Sequence, residues 1–152
     1  MTNKNDINYM EIAIGLAVKA YRMDEVPVGA VIVRDDKVIS EGWNLRENTF
    51  DPAAHAEIVA IRDAAEASKN WRLSGATLYV TKEPCIMCCG AILNSRIERL
   101  VFGCRDEKGG GAESLYHLLN DERLNHRVDV VGGVLEEKCM ELIQSFFRSK
   151  RV

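Results

Sequence analysis

Apolar residues recur at two different spacings along this chain. Ile7, Met10, Ile14, Ala17, Val18 and Tyr21 follow the 3.6-residue period of an amphipathic helix. VGAVIV, residues 28–33, is a continuous apolar run of strand length. Asp35-Asp36 is a turn signal, and a second strand is predicted over 38–43, making a β-hairpin. Asp51-Pro52 predicts the start of a helix, with Asp51 as N-cap and Pro52 in the first turn, running to about residue 67. ATLYVT, 76–81, reads as a third strand, and Pro84 opens a helix reaching about residue 94. RLVFG, 99–103, is a fourth strand. Gly109, Gly110 and Gly111 read as a flexible turn, followed by a short helix over 114–119. Residues 128–131 form a fifth strand, and Leu135, Cys139, Leu142, Ile143 and Phe146 mark a last amphipathic helix. Helices alternating with strands predict an α/β protein. The expected form is a three-layer α/β/α sandwich on a five-stranded mixed sheet whose first two strands are antiparallel.

The 152 residues suit one domain, 1–152, able to bury roughly 70% of the surface its unfolded chain exposes. Hydrophobic residues make up 47% and charged residues 28%, which speaks against disorder. No apolar run nears the roughly 20 residues of a membrane span, and the polar start of the chain carries no secretory pattern. A net charge of −3 argues mildly against general nucleic-acid affinity. The distribution softens that. Arg96, Arg99, Arg105 and Lys108 follow the Pro84 helix, and Arg148, Lys150 and Arg151 crowd the C-terminus. The five cysteines are odd in number and three of them fall within residues 85–89, a pattern of metal or redox chemistry in a reducing cytoplasm.

Two short segments carry that chemistry: His55-Ala56-Glu57 and Pro84-Cys85-Ile86-Met87-Cys88, each at a predicted helix start. Cys85 and Cys88, three apart, share one helix face, where the dipole and unpaired N–H groups favour thiolates. Two thiolates and an imidazole give Zn²⁺ three ligands and leave one position for water. His55 and Glu57 can reach one site only if it lies off the end of their helix. There Glu57 is placed as a proton shuttle. C-x-x-C alone fits a thioredoxin-like redox pair equally well. Joined to H-x-E it takes the pattern of zinc-dependent nucleobase deaminases. A structural zinc module and a Cys85–Cys88 oxidoreductase stay open as alternatives.

Longer stretches extend the pattern. EVPVGAVIV (25–33), EGWN (41–44), DPAAHAEI (51–58), LYVTKEPCIMCCGAILNSRI (78–97), VFGCRDEKGG (101–110), LNHRV (124–128) and FFRSKR (146–151) span nearly the whole chain. Together they resemble bacterial tRNA-specific adenosine deaminases. The resemblance implies a cytidine-deaminase-like fold, one catalytic Zn²⁺ per subunit and a cytoplasmic homodimer. It also implies conversion of adenosine to inosine at the wobble position of a tRNA anticodon, typically of an arginine tRNA. His55, Cys85 and Cys88 match zinc ligands, Glu57 the catalytic shuttle, and Asn44 a residue that hydrogen-bonds the purine. Contacts to the anticodon stem-loop map onto Arg105, Asp106, Lys108, Asn125, His126, Phe147 and Arg148. Lys82, Cys89 and 111–113 depart from the family pattern. The runner-up is a zinc-dependent deaminase of a free nucleobase or nucleoside, of guanine or cytosine type.

Plainer roles compete at several positions. Cys139 and Cys89 read as core packing, and His117 as surface or satisfied core. Trp43 and Trp71 read as packing. His126 is divided between a loop histidine and an RNA contact. Asn44 could simply end its strand in a turn.

Overall fold

The computed structural model describes residues 2–150. Helix α1 spans Lys4–Arg22, β1 Gly29–Arg34, β2 Lys37–Trp43, α2 Arg46–Thr49, α3 Ala56–Ser68 and β3 Thr77–Lys82. Then come α4 over Ile86–Ser95, β4 over Arg99–Cys104, a 3₁₀ turn at Leu118–Asn120, β5 over Asp129–Val131 and α5 over Glu136–Lys150. The sheet runs β2-β1-β3-β4-β5, with β1 antiparallel to both neighbours and β3-β4-β5 parallel. The predicted three-layer mixed sheet is therefore the observed one.

Both faces of the sheet are covered, so the central strands β1, β3 and β4 are buried almost without interruption. Ala30, Ile32, Leu78, Val80, Leu100 and Phe102 pack with Ala56, Ala60 and Ile61 of α3 and with Cys89 and Ile92 of α4. The alternate residues Val31, Val33, Tyr79 and Val101 pack with Met10, Ala13, Ile14 and Leu16 of α1 and Cys139 of α5. Gly42 shows how close the helices lie: a Cβ there would sit 2.5 Å from the carbonyl oxygen of Ala56 in α3. Buried Asp6 takes paired hydrogen bonds from Arg99 and one from Tyr79, tying the first turn of α1 to the sheet.

Three local expectations give way. The helix predicted from Asp51 begins at Ala56, because the Asp51 carboxylate accepts the Ala53 N–H at 2.9 Å and closes a turn instead. The helix predicted over 114–119 is a set of turns with one 3₁₀ turn. The N–H groups leading into it, at Ala112, Glu113 and Ser114, are drawn to Glu83, 2.8–3.2 Å away, rather than along a helix axis. The three glycines serve close approach rather than flexibility: a Cβ on Gly110 would lie 2.3 Å from the Glu83 carboxyl. A short helix not predicted, α2, forms where the Glu47 and Asn48 N–H groups meet the buried Glu25 carboxylate. Helices α2, α3 and α4 end on Phe50, Lys69 and Arg96, all left-handed and none glycine. Among the described residues no helix is long and apolar enough to cross a membrane.

Candidate metal centre and active site

The delayed start of α3 shapes the site. His55 becomes its N-cap, with extended backbone and no side-chain capping bond, so the imidazole is free to face outward. Cys85 is likewise the N-cap of α4, and Cys88 follows in the first turn. Two helix N-termini thus converge, and both direct positive dipole ends at the same spot. The α4 start is stitched in place by a Cys85–Gly110 bridge and by the Gly111 N–H donating to the Pro84 carbonyl at 2.8 Å.

His55 Nδ1 lies 3.6 Å from each of the Cys85 and Cys88 Sγ atoms, and the three donors fall within 4.8 Å of one another. An ion bound tetrahedrally, with metal–sulfur distances of about 2.3 Å and metal–nitrogen of about 2.05 Å, would hold sulfur and nitrogen about 3.55 Å apart. The observed spacing fits that arrangement without movement. Hydrogen bonds from the Cys88 thiol and from His55 hold the Cys85 thiol down at about 4. The Cys85 sulfur in turn raises the His55 imidazole. The donor hydrogen bond to Cys85, together with burial, pushes the Cys88 thiol up.

Glu57 lies one residue inside α3 and is 4% exposed. Burial pushes its carboxyl above the usual range. It faces a cavity of about 230 Å³ lined also by Val26, Val28, Asn44, His55, Lys82 and Cys85. That is below the roughly 300–1,000 Å³ of a drug-sized ligand site and suits a single planar base. Asn44 stands at the junction with a second cavity of about 610 Å³, bounded by Glu25, Asn48, Phe147 and Lys150. Its amide oxygen accepts the Arg46 N–H at 3.2 Å and its nitrogen donates to the Val26 carbonyl at 3.3 Å. One amide hydrogen remains for a ligand.

A family model described as MafB19-like deaminase matches residues 4–151. A tRNA-specific adenosine deaminase of Haemophilus influenzae is 50% identical over 147 residues, 96% of this chain and 85% of the relative. That of Bacillus subtilis is 50% identical over 143 residues, 94% and 89% of the two chains. A solved structure from work on A-to-I editing by tRNA:A34 deaminases at the wobble position of transfer RNA superposes with a TM-score of 0.86. It is 44% identical and covers 89% of this chain and 98% of its own. This chain belongs to the tRNA-specific adenosine deaminase family.

In this deaminase His55, Glu57, Cys85, Asn44 and Asp106 line one cavity, Cys88 is buried beside His55 and Cys85, and Phe147, 43% exposed, lines both cavities. The other candidates line neither. Arg105 is held by Glu113 at 3.2 Å and Glu136 at 3.4 Å. Arg148 pairs with Glu141 at 2.9 Å. Lys108 and Asn125 are exposed. The His126 Nε2 lies 2.8 Å from the Ile97 carbonyl oxygen, so that nitrogen carries its proton and fixes the loop to the core. Arg151 lies outside the described residues. Cys89, Cys104 and Cys139 are buried, and burial pushes their thiols up to about 12, 11 and 12.

Sequence reasoning missed Glu83. It is 2% exposed and accepts backbone N–H groups from Asp106, Ala112, Glu113 and Ser114, and the Ser114 hydroxyl. One carboxylate thereby shapes the whole outer wall of the cavity. The only signal was an acidic residue next to Pro84, which is too common to read.

Proposed function

We propose that this chain deaminates adenosine to inosine at the wobble position of a tRNA anticodon, an arginine tRNA first among them, using zinc held by His55, Cys85 and Cys88. The observation that carries the reading is the three-donor set at two helix N-termini beside buried Glu57, facing a cavity of one-base size. When bound, zinc supplies a Lewis acid that makes water a competent nucleophile near neutral pH.

The remaining work falls to the chain. Val26 and Val28 line an apolar slot for the base, and the spare Asn44 amide hydrogen orients the purine edge. Glu57 takes a proton from the attacking water as oxygen bonds to C6. It passes that proton to the ring nitrogen, then takes the second proton from the new C6 hydroxyl and hands it to the amine as the C6–N bond breaks, and ammonia leaves. Water plus adenosine thus gives inosine plus ammonia, and Glu57 ends as it began. A base in a single-stranded loop is extruded more cheaply than one in a duplex, which suits an anticodon. Phe147 offers an aromatic face for a neighbouring base.

The reading includes a cytoplasmic homodimer. Ile86 and Met87 at the α4 start and Leu115 and Tyr116 on the segment stitched to it leave large apolar side chains exposed together, as a subunit contact would.

The test pairs zinc-loaded protein with an arginine tRNA transcript bearing adenosine at the wobble position, followed by reverse transcription and sequencing. An A-to-G change confined to that position is expected. No change with stoichiometric zinc present would overturn the tRNA reading and favour a free base such as guanine or cytosine.

A further inference from the structure

The rim of the small cavity holds a cation whose bonding is incomplete. Lys82 closes β3 and lines the cavity alongside Glu57 and Asp106. Its ammonium lies 3.3 Å from Asp106 Oδ2, and its side chain is 32% exposed. An ammonium carries three donors, and among the described residues Asp106 is the one partner Lys82 has. Asp106 is fully committed. Its Oδ1 accepts the N–H groups of Lys108 and Gly109, both at 3.1 Å, and its own N–H donates to Glu83. Burial pushes the Asp106 carboxyl up, but Lys82 and those N–H groups outweigh it and hold the group below its ordinary value. The carboxylate therefore anchors the ammonium without using up its donors.

The geometry points to Lys82 as a specificity-determining residue that binds a backbone phosphate beside the target nucleotide. This rests on the proposed reaction on RNA. A base seated with C6 beside Glu57 directs its sugar toward the cavity mouth, and that sugar carries a phosphate on each side. Lys82 stands at the mouth, and a lysine ammonium is a compact point charge suited to phosphate. Arg46, the other side-chain cation apart from His55 on this lining, is exposed on α2. An anion entering the cavity therefore meets two side-chain cations in its lining, whereas a free base gains nothing from Lys82.

The experiment measures steady-state deamination of an anticodon stem-loop RNA by the zinc-loaded full chain over a salt series. It compares wild type, Lys82→Met and Lys82→Arg, with RNAs bearing a single neutral methylphosphonate on either side of the target adenosine. Lys82→Met should raise KM about tenfold, with kcat within about twofold. It should also flatten the log–log salt slope by about 0.7, the worth of one phosphate on single-stranded RNA. Lys82→Arg should recover most of the KM. One methylphosphonate should weaken wild type comparably and leave Lys82→Met no worse. Wild-type KM and salt slope in Lys82→Met, or an undiminished methylphosphonate penalty in that variant, would overturn the inference while leaving the proposed reaction standing. Failure of wild type to deaminate any RNA would remove the proposed reaction and the phosphate contact together.

Discussion

The two walls of the small cavity are held by different means. The inner wall, with His55, Cys85, Cys88 and Glu57, hangs on the first turns of α3 and α4, helices that each bury one face against the sheet. The outer wall, 105–116, has no regular structure beyond one bridge, and its backbone is gathered by the Glu83 carboxylate. The first depends on many small packing contacts and tolerates loss of any one reactive group without unfolding. The second depends on one charge. Reactivity and shape should therefore fail separately.

The largest effect should come from Cys88→Ala. Zinc stoichiometry by mass spectrometry and tRNA deamination should both fall to background, with the far-ultraviolet circular dichroism unchanged. Next, Glu57→Ala should keep its zinc and lose about 10²–10⁴-fold in turnover. Full activity in that variant would end the proton-shuttle account.

Glu83→Gln attacks the other wall. It removes a charge-assisted acceptor from several buried N–H groups and should cost about 2–4 kcal/mol in urea unfolding, with faster proteolysis within 105–114. Its pH behaviour sharpens the comparison. Burial raises the Glu83 carboxyl, but the Ser114 hydroxyl and the N–H groups pull it below the unfolded 4.5. A depressed carboxylate stabilises fully above its unfolded value and loses that contribution as pH falls through the lower, folded one. Wild type should thus lose stability below about pH 4.5, and Glu83→Gln should lose less over the same interval. The smallest effect belongs to Gly42→Ala, which presses β2 against the Ala56 carbonyl and should cost about 1–3 kcal/mol. It should displace His55 more than the outer wall, seen as weaker zinc retention against a chelator.

The same contrast explains what was legible in the sequence. The strands, the mixed sheet and its layers followed from apolar runs and helical periods, because packing on two faces leaves a periodic trace. H-x-E and P-C-x-x-C were legible because a metal needs fixed donor types at fixed spacings. The start of α3 was misplaced since Asp-Pro opens a turn as readily as a helix, and only the Asp51–Ala53 hydrogen bond decides between them. The outer wall and α2 were opaque for a deeper reason. Glu83 organises residues about 30 positions onward, and Glu25 residues 22 and 23 positions onward. A carboxylate acting at that distance leaves no period, and each looks like any surface acid until its burial is known.

The left-handed residue that ends α3 gives the molecule room to change. Lys69 holds φ at 51°, a conformation a side chain resists, on an exposed corner remote from both walls. Glycine there would release that resistance and lose part of the gain to a looser unfolded chain, netting about 0.5–1 kcal/mol. In a domain of this size that is worth roughly 1–4 °C at the melting midpoint. The fold thus keeps a reserve of heat tolerance at a surface corner, available to offset a costly change made at the catalytic end.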